Sequence, residues 1–194
     1  MRRSTVPVLL VLLVGLAALP VIAQTPPQAP AATQQPPSLV TEVQNMFNTL
    51  KGYITKAASQ FPEDKLTWQP TPAVRSWARL IAHISDDNNG ACSALAGVQR
   101  PARLDTEDTQ NSAANKMSKA DLEKALADSF ALCDKAFAAV TDANMMERNG
   151  NRSKIGTLIY DTSHINEHYG NIVTYMRLNS LVPPSTAGRG GRGM

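Results

Sequence analysis

The amino-acid sequence predicts an all-α protein, a four-helix bundle. Two observations lead to that fold class. Four segments of about twenty residues carry apolar side chains at alternating spacings of three and four, the period of an amphipathic helix. No stretch alternates apolar and polar residues over the length of a strand. Each segment therefore has one apolar stripe to bury, and four such helices bury their stripes against one another around a common core.

The chain of 194 residues opens MRRSTVPVLLVLLVGLAALPVIAQ, where two arginines precede a Leu/Val-rich run and small residues stand just ahead of Gln24. This is the pattern of a secretory signal peptide over residues 1–23, cut after Ala23. The apolar run is short for a retained membrane anchor, and Pro/Gln-rich sequence follows it at once. Cleavage removes two of the 19 basic side chains and leaves 17 against 16 acidic ones. With charge so nearly balanced, and Lys and Arg scattered outside the final "GRGGRGM", there is no basic face of the kind nucleic acid demands. Residues 24–37, "QTPPQAPAATQQPP", cannot bury a core and read as a linker. The bundle is expected over 38–185, and residues 186–194 as a flexible Gly/Arg tail.

Helix 1 starts after Ser38, which suits an N-cap, and carries Val40, Val43, Phe47, Leu50, Ile54, Ala57 and Phe61 before Pro62 stops it. A Pro-rich connection leads to helix 2 from about Ser76, with Trp77, Leu80, Ile84, Ala91 and Leu95 in register and fraying at Gly97 and Pro101. The polar stretch 97–117 is long enough to cross the bundle, so helices 2 and 3 could run parallel instead of forming a hairpin. Ser118 and Asp121 approximate a capping box ahead of helix 3, whose stripe is Leu122, Leu126, Phe130, Cys133, Phe137 and Val140. After the polar loop "TDANMMERNGNRS", helix 4 shows Leu158, Ile165, Ile172 and Tyr175 and ends near Asn179.

The three histidines are the chemical signal. In "HINEH", His164 and His168 lie four apart, one above the other on one face of helix 4, where two imidazoles can hold one ion. His168 occupies the next slot of the core stripe, and Asp161 lies further back on the same line, so polar groups interrupt the stripe where Leu would be expected. Helix 2 repeats the oddity, with Asp87 in an inward slot and His83 one turn before it. An unpartnered buried polar group costs about 1 to 3 kcal/mol, so these groups should partner one another or share an ion. Hydrogen bonding of each histidine without a metal is the alternative on spacing alone.

"HINEH" also matches H-x-x-E-H, the inverted zinc-peptidase helix with Glu167 as general base. That chemistry needs a further ligand downstream, and no Asp or Glu follows Glu167, which argues against it. Glu167 is expected either beside the ligands or on the exposed face. The two cysteines, Cys92 and Cys133, suggest a disulfide in an exported chain, with two buried free thiols as the alternative.

The run "FPEDKLTWQPTPAVRSWARLIAHISD" and the later "HINEHYGNIVTYMRLNSLVPPS" resemble the DinB/YfiT-like superfamily, especially its secreted bacterial branch, over about residues 39–185. The resemblance implies an up-down-down-up bundle with a long crossover from helix 2 to helix 3. It also implies a divalent ion, nickel or zinc, held by His83, His164 and His168 with water or substrate completing the shell. In that topology helices 2 and 3 are parallel and bring Cys92 and Cys133 to similar height, which favours a disulfide between them. Cys92 lies half a turn round helix 2 from His83 and faces away from the metal.

These expectations favour an exported metal-dependent enzyme, a hydrolase or a thiol-transferase-like protein acting on a small molecule. Asp87, Asp161 or Glu167 would orient histidines or move a proton. Arg75, Arg177 and Tyr169 lie where they could line an entrance, although charge at helix ends is more often simply solvated. The alternative is a non-catalytic metal- or ligand-binding module with a closed shell, in which Asp87 or Asp161 supplies a fourth ligand. No nucleic-acid partner and no stable membrane insertion after cleavage are expected; a homodimer is an allowed assembly.

Overall fold

The computed structural model describes residues 36–106 and 111–187. The signal peptide expected over 1–23, the linker expected over 24–37 except its last two residues, and residues 188–194 of the expected tail lie outside the described residues. Four helices carry the fold: α1 Leu39–Gln60, α2 Trp77–Cys92, α3 Lys119–Ala138 and α4 Lys154–Leu178. Each begins after a serine whose hydroxyl accepts a backbone N–H three residues on: Ser38 from Thr41, Ser76 from Arg79, Ser118 from Asp121 and Ser153 from Gly156. Such caps satisfy donors that the first helical turn leaves without a partner.

Cross-helix pairs give the directions. On α2 and α3, Asn88 bonds Ser129 and Cys92 joins Cys133, so sequence numbers rise together and the helices are parallel. Phe47 of α1 meets Phe137 of α3 while Lys119 reaches Ser59, an antiparallel pair. Trp77 and His83 of α2 meet Tyr175 and His168 of α4, also antiparallel. The bundle is therefore up-down-down-up, with the long connection after α2 making the crossover. Phe47, Ile54, Ile81, Ile84, Phe130, Leu158, Ile165, Ile172 and Met176 are fully buried at its centre.

The Cys92–Cys133 disulfide, with Cα atoms 5.0 Å apart, ties α2 to α3 deep in that core. A cross-link at a sequence separation of 41 restricts the unfolded chain, a stabilisation of about 2 to 4 kcal/mol. We expect a Cys92→Ala/Cys133→Ala variant to lose that amount in urea denaturation. An unchanged midpoint would show that the cross-link contributes nothing.

The structure departs from the sequence-based expectation in three places. Within the loop expected over 141–153, Arg148–Asn149 (β1) pairs antiparallel with Arg152–Ser153 (β2), and Gly150 takes φ 61° in the turn. The Gly150-Asn151 dipeptide, the two residues between the strands, is the local signal for that hairpin. α2 stops at Cys92 and turns through a Schellman-type end in which Val98 N–H bonds the Ser93 carbonyl, Gly97 N–H bonds the Ala94 carbonyl and Gly97 takes φ 68°. Finally, α2 is buried nearly all round, because α3, α4 and the crossover each cover one of its faces. In its second half Asp86, Asn88 and Cys92 are fully enclosed, whereas Ala91, and Leu95 in the turn beyond the helix, are only half-buried.

Two buried carboxylates hold the crossover in place. Asp86 accepts the backbone N–H groups of Leu104 and Asp105 at 2.8–3.0 Å. Asp105 in turn accepts Arg79 Nε at 2.8 Å, Arg75 Nε at 3.0 Å and the Ser112 hydroxyl at 2.9 Å. Among the described residues no helix is long and apolar enough to cross a membrane.

Candidate metal centre

The antiparallel contact of α2 with α4 brings His83, His164 and His168 together, with ring centroids 5.4, 4.7 and 4.5 Å apart. Asp87, one turn after His83, joins them. One ligating atom from each of the four residues lies within 4.8 Å of the other three. The i,i+4 spacing on each helix does this locally: it stacks His83 over Asp87 and His164 over His168, so two helices present a square of donors.

The donors face one another. Asp87 Oδ2 lies 2.9 Å from His83 Nε2 and 3.3 Å from His164 Nδ1, and the Nε2 atoms of His164 and His168 are 3.0 Å apart. Asp87 Oδ2, His83 Nδ1 and His164 Nδ1 are buried without an aligned hydrogen-bond partner. Buried unpartnered polar atoms in a cluster whose ligating atoms lie within 4.8 Å of one another are what a cation can satisfy, and imidazoles with a carboxylate suit a borderline divalent ion. The residues present therefore fit a divalent metal.

Electrostatics agree with that reading. Burial, reinforced by the neighbouring His83 and His164 and by Arg75, lowers the His168 imidazole to about 4, which keeps it in the neutral form that can ligate. Burial by itself would raise the Asp87 carboxyl, but His83, with His164 and His168 beside it, outweighs this and holds it below the usual carboxylate range. Asn171 sits 3.4 Å from His168 Nδ1, on the ring edge opposite His164. The Tyr160 ring stacks on His164 with planes 7° apart, and Arg152 caps Tyr160 at 4.0 Å.

Two clefts reach the cluster from different sides. The larger, about 650 Å³, is lined by His168 together with Arg75, Arg79, Asn171, Thr174 and Tyr175. The smaller, about 420 Å³, is lined by Asp87, Arg100, Arg152 and Tyr160.

The remaining candidates from the sequence are placed elsewhere. Asp161 is buried, but its Oδ2 lies 3.8 and 3.7 Å from the Cys92 and Cys133 sulfurs instead of entering the histidine cluster. Those sulfurs carry no proton in the disulfide, so neither contact is a hydrogen bond. Glu167 takes the exposed one of the two placements expected for it. It is exposed and outside the cluster, because the residue before His168 points about 100° away around the helix. Arg177 is exposed and does not line the cleft, and Tyr169 is buried against Tyr53 while its hydroxyl accepts Ser185 N–H. Arg75 does line the larger cleft. Sequence reasoning missed Asn171, Arg79 and Asp105, which are polar residues without a spacing signal; only the crossover's path makes Asp105 a partner of α2.

In comparison with protein families, the model describing the DinB superfamily aligns with residues 46–172, more than half of the chain and inclusive of all three histidines. No curated protein matches the sequence.

Proposed function

The chain belongs to the DinB superfamily, and from that premise we propose that it binds a divalent metal, nickel or zinc, through His83, His164 and His168 and acts as an exported metal-dependent enzyme on a small molecule. One observation carries the catalytic part. His168 stands in the wall of the 650 Å³ cleft, so an ion held by that side chain is within reach of a molecule occupying the cleft. A divalent ion with an open position supplies Lewis acidity and activates a water or thiol nucleophile, chemistry that suits a hydrolase or a thiol-transferase-like enzyme. Asp87, close to both His83 and His164, orients their rings and can accept a proton. Export is supported by the disulfide, which is compatible with an oxidising compartment.

A second reading has an observation in its favour. Asp87 lies inside the cluster, and as a fourth ligand it would close the shell and leave a binding module that fastens α2 to α4. The two readings differ at Asp87. Elemental mass spectrometry of residues 24–194, produced without a histidine tag, should find near-stoichiometric metal that is lost in His164→Ala/His168→Ala. Asp87→Asn should keep most of that metal if Asp87 is a proton acceptor, and should lose it if Asp87 is a ligand. Absence of metal from the wild type after reconstitution with nickel, zinc and manganese would overturn both.

A further inference from the structure

The larger cleft is asymmetric in charge. Its described lining residues include two arginines and no carboxylate. Arg79 is buried in its ion pair with Asp105, but Arg75 differs. Its Nε is fixed on Asp105 at 3.0 Å and its backbone carbonyl accepts the Tyr175 hydroxyl at 2.8 Å. The terminal guanidinium nitrogens make no hydrogen bond or ion pair among the described residues, and 34% of the side chain remains exposed. A guanidinium held from behind and open in front is a preorganised fork for an oxyanion, because little rotamer entropy is left to lose on binding.

The smaller cleft lacks these properties. Arg100 donates to the Asp86 carbonyl, Arg152 lies over Tyr160, and the Asp87 carboxylate lines the wall, where it repels anions.

We propose that the larger cleft binds a small molecule bearing an oxyanion, a carboxylate or a phosphate, which docks on Arg75 while the rest of the molecule extends toward His168. Thr71, Asn171 and Thr174 supply neutral hydrogen-bonding groups along the same wall. The inference deepens the reading of the site as a metal-dependent enzyme and rests on it for the direction of the reacting end. The anion dock itself does not require the ion.

The test uses inorganic phosphate and succinate as probes, titrated at constant ionic strength into metal-loaded protein and into protein freed of metal and dialysed clear of chelator. Binding is followed by calorimetry and by Trp68 fluorescence, since Trp68 meets the Tyr175 ring edge-on at the cleft wall. Saturable binding is expected, weakened about tenfold or more in Arg75→Gln, by less in Arg75→Lys, and unchanged in Arg177→Gln. Arg75→Lys keeps the charge opposite Asp105, so it reports even if Arg75→Gln does not fold. The probe that binds more tightly identifies the group. Absence of saturable binding to the wild type, or Arg75 variants that stay folded and bind within twofold of it, would overturn the inference. Arg75-dependent binding in a protein that takes up no metal would uphold the anion dock and overturn the metal centre. Metal uptake without Arg75-dependent binding would do the reverse.

Discussion

Replacing Asp105 with alanine is expected to destabilise the protein by about 3 to 5 kcal/mol, the usual cost of removing one partner from a buried ion pair. Asp105 is completely buried between Arg79, itself 4% exposed at the side chain, and Arg75. Burial by itself would raise its carboxyl, but hydrogen bonds from Arg79, Arg75 and Ser112 outweigh that and lower it below 3.8. A folded value beneath the unfolded one means the contribution is present above about 3.8 and is lost as pH falls through the folded value. The same carboxylate helps tie the crossover to α2 and anchors the arginine of the cleft, so Asp105→Ala should also weaken anion binding. Chemical denaturation at pH 7 checks the first effect. A loss below about 1 kcal/mol would show that the network is not a principal support of the fold.

Asp161 should behave in the opposite sense. Burial, and secondarily the charge of Asp87, raises its carboxyl from 3.8 to about 7, and its Oδ1 has no hydrogen-bond partner. Between those values the folded protein retains a proton that the unfolded chain has released. The contribution of Asp161 to stability therefore falls as pH rises from about 4 to about 7, by about 1.4 kcal/mol per unit and about 4 kcal/mol in all, while His168, lowered from 6.5 to about 4, contributes in the opposite sense in wild type and Asp161→Asn alike. In metal-free protein, Asp161→Asn should remove this slope, so its advantage over wild type grows from pH 4 to 8 and is absent below about pH 3.5. Any offset from placing an amide beside the disulfide would be the same at every pH. Thermal melts across that range decide the matter, and parallel curves for the two proteins would show that Asp161 does not ionise across it.

How legible the site was depended on whether its logic is local. The i,i+4 pair His164/His168 and the turn that separates His83 from Asp87 belong to single helices, so periodicity alone placed them on shared faces. Asp161 was equally visible as an interruption of the α4 stripe, but its neighbour proved to be the disulfide, which only the parallel packing of α2 and α3 brings there. Glu167 completes an H-x-x-E-H match against which the missing downstream carboxylate argued, and helix geometry turns it to solvent. Asp86 and Asp105 gave no signal, because a charged residue that will be buried and one that will be solvated look alike until the partner's position is known.

The amino-acid sequence by itself determined the four helices, their serine caps and the residues of the histidine face. These follow from hydrogen bonds and side-chain spacing within about four residues, where chain connectivity leaves little freedom. Tertiary structure decided which carboxylate joins the histidines, where the crossover runs, and that Arg75 is clamped by Asp105 with its far side open to the cleft. Each of those depends on groups from different elements meeting at a few ångströms, and their energies come from exclusion of water and the pairing of charges across helices. That pairing appears only once the bundle has closed.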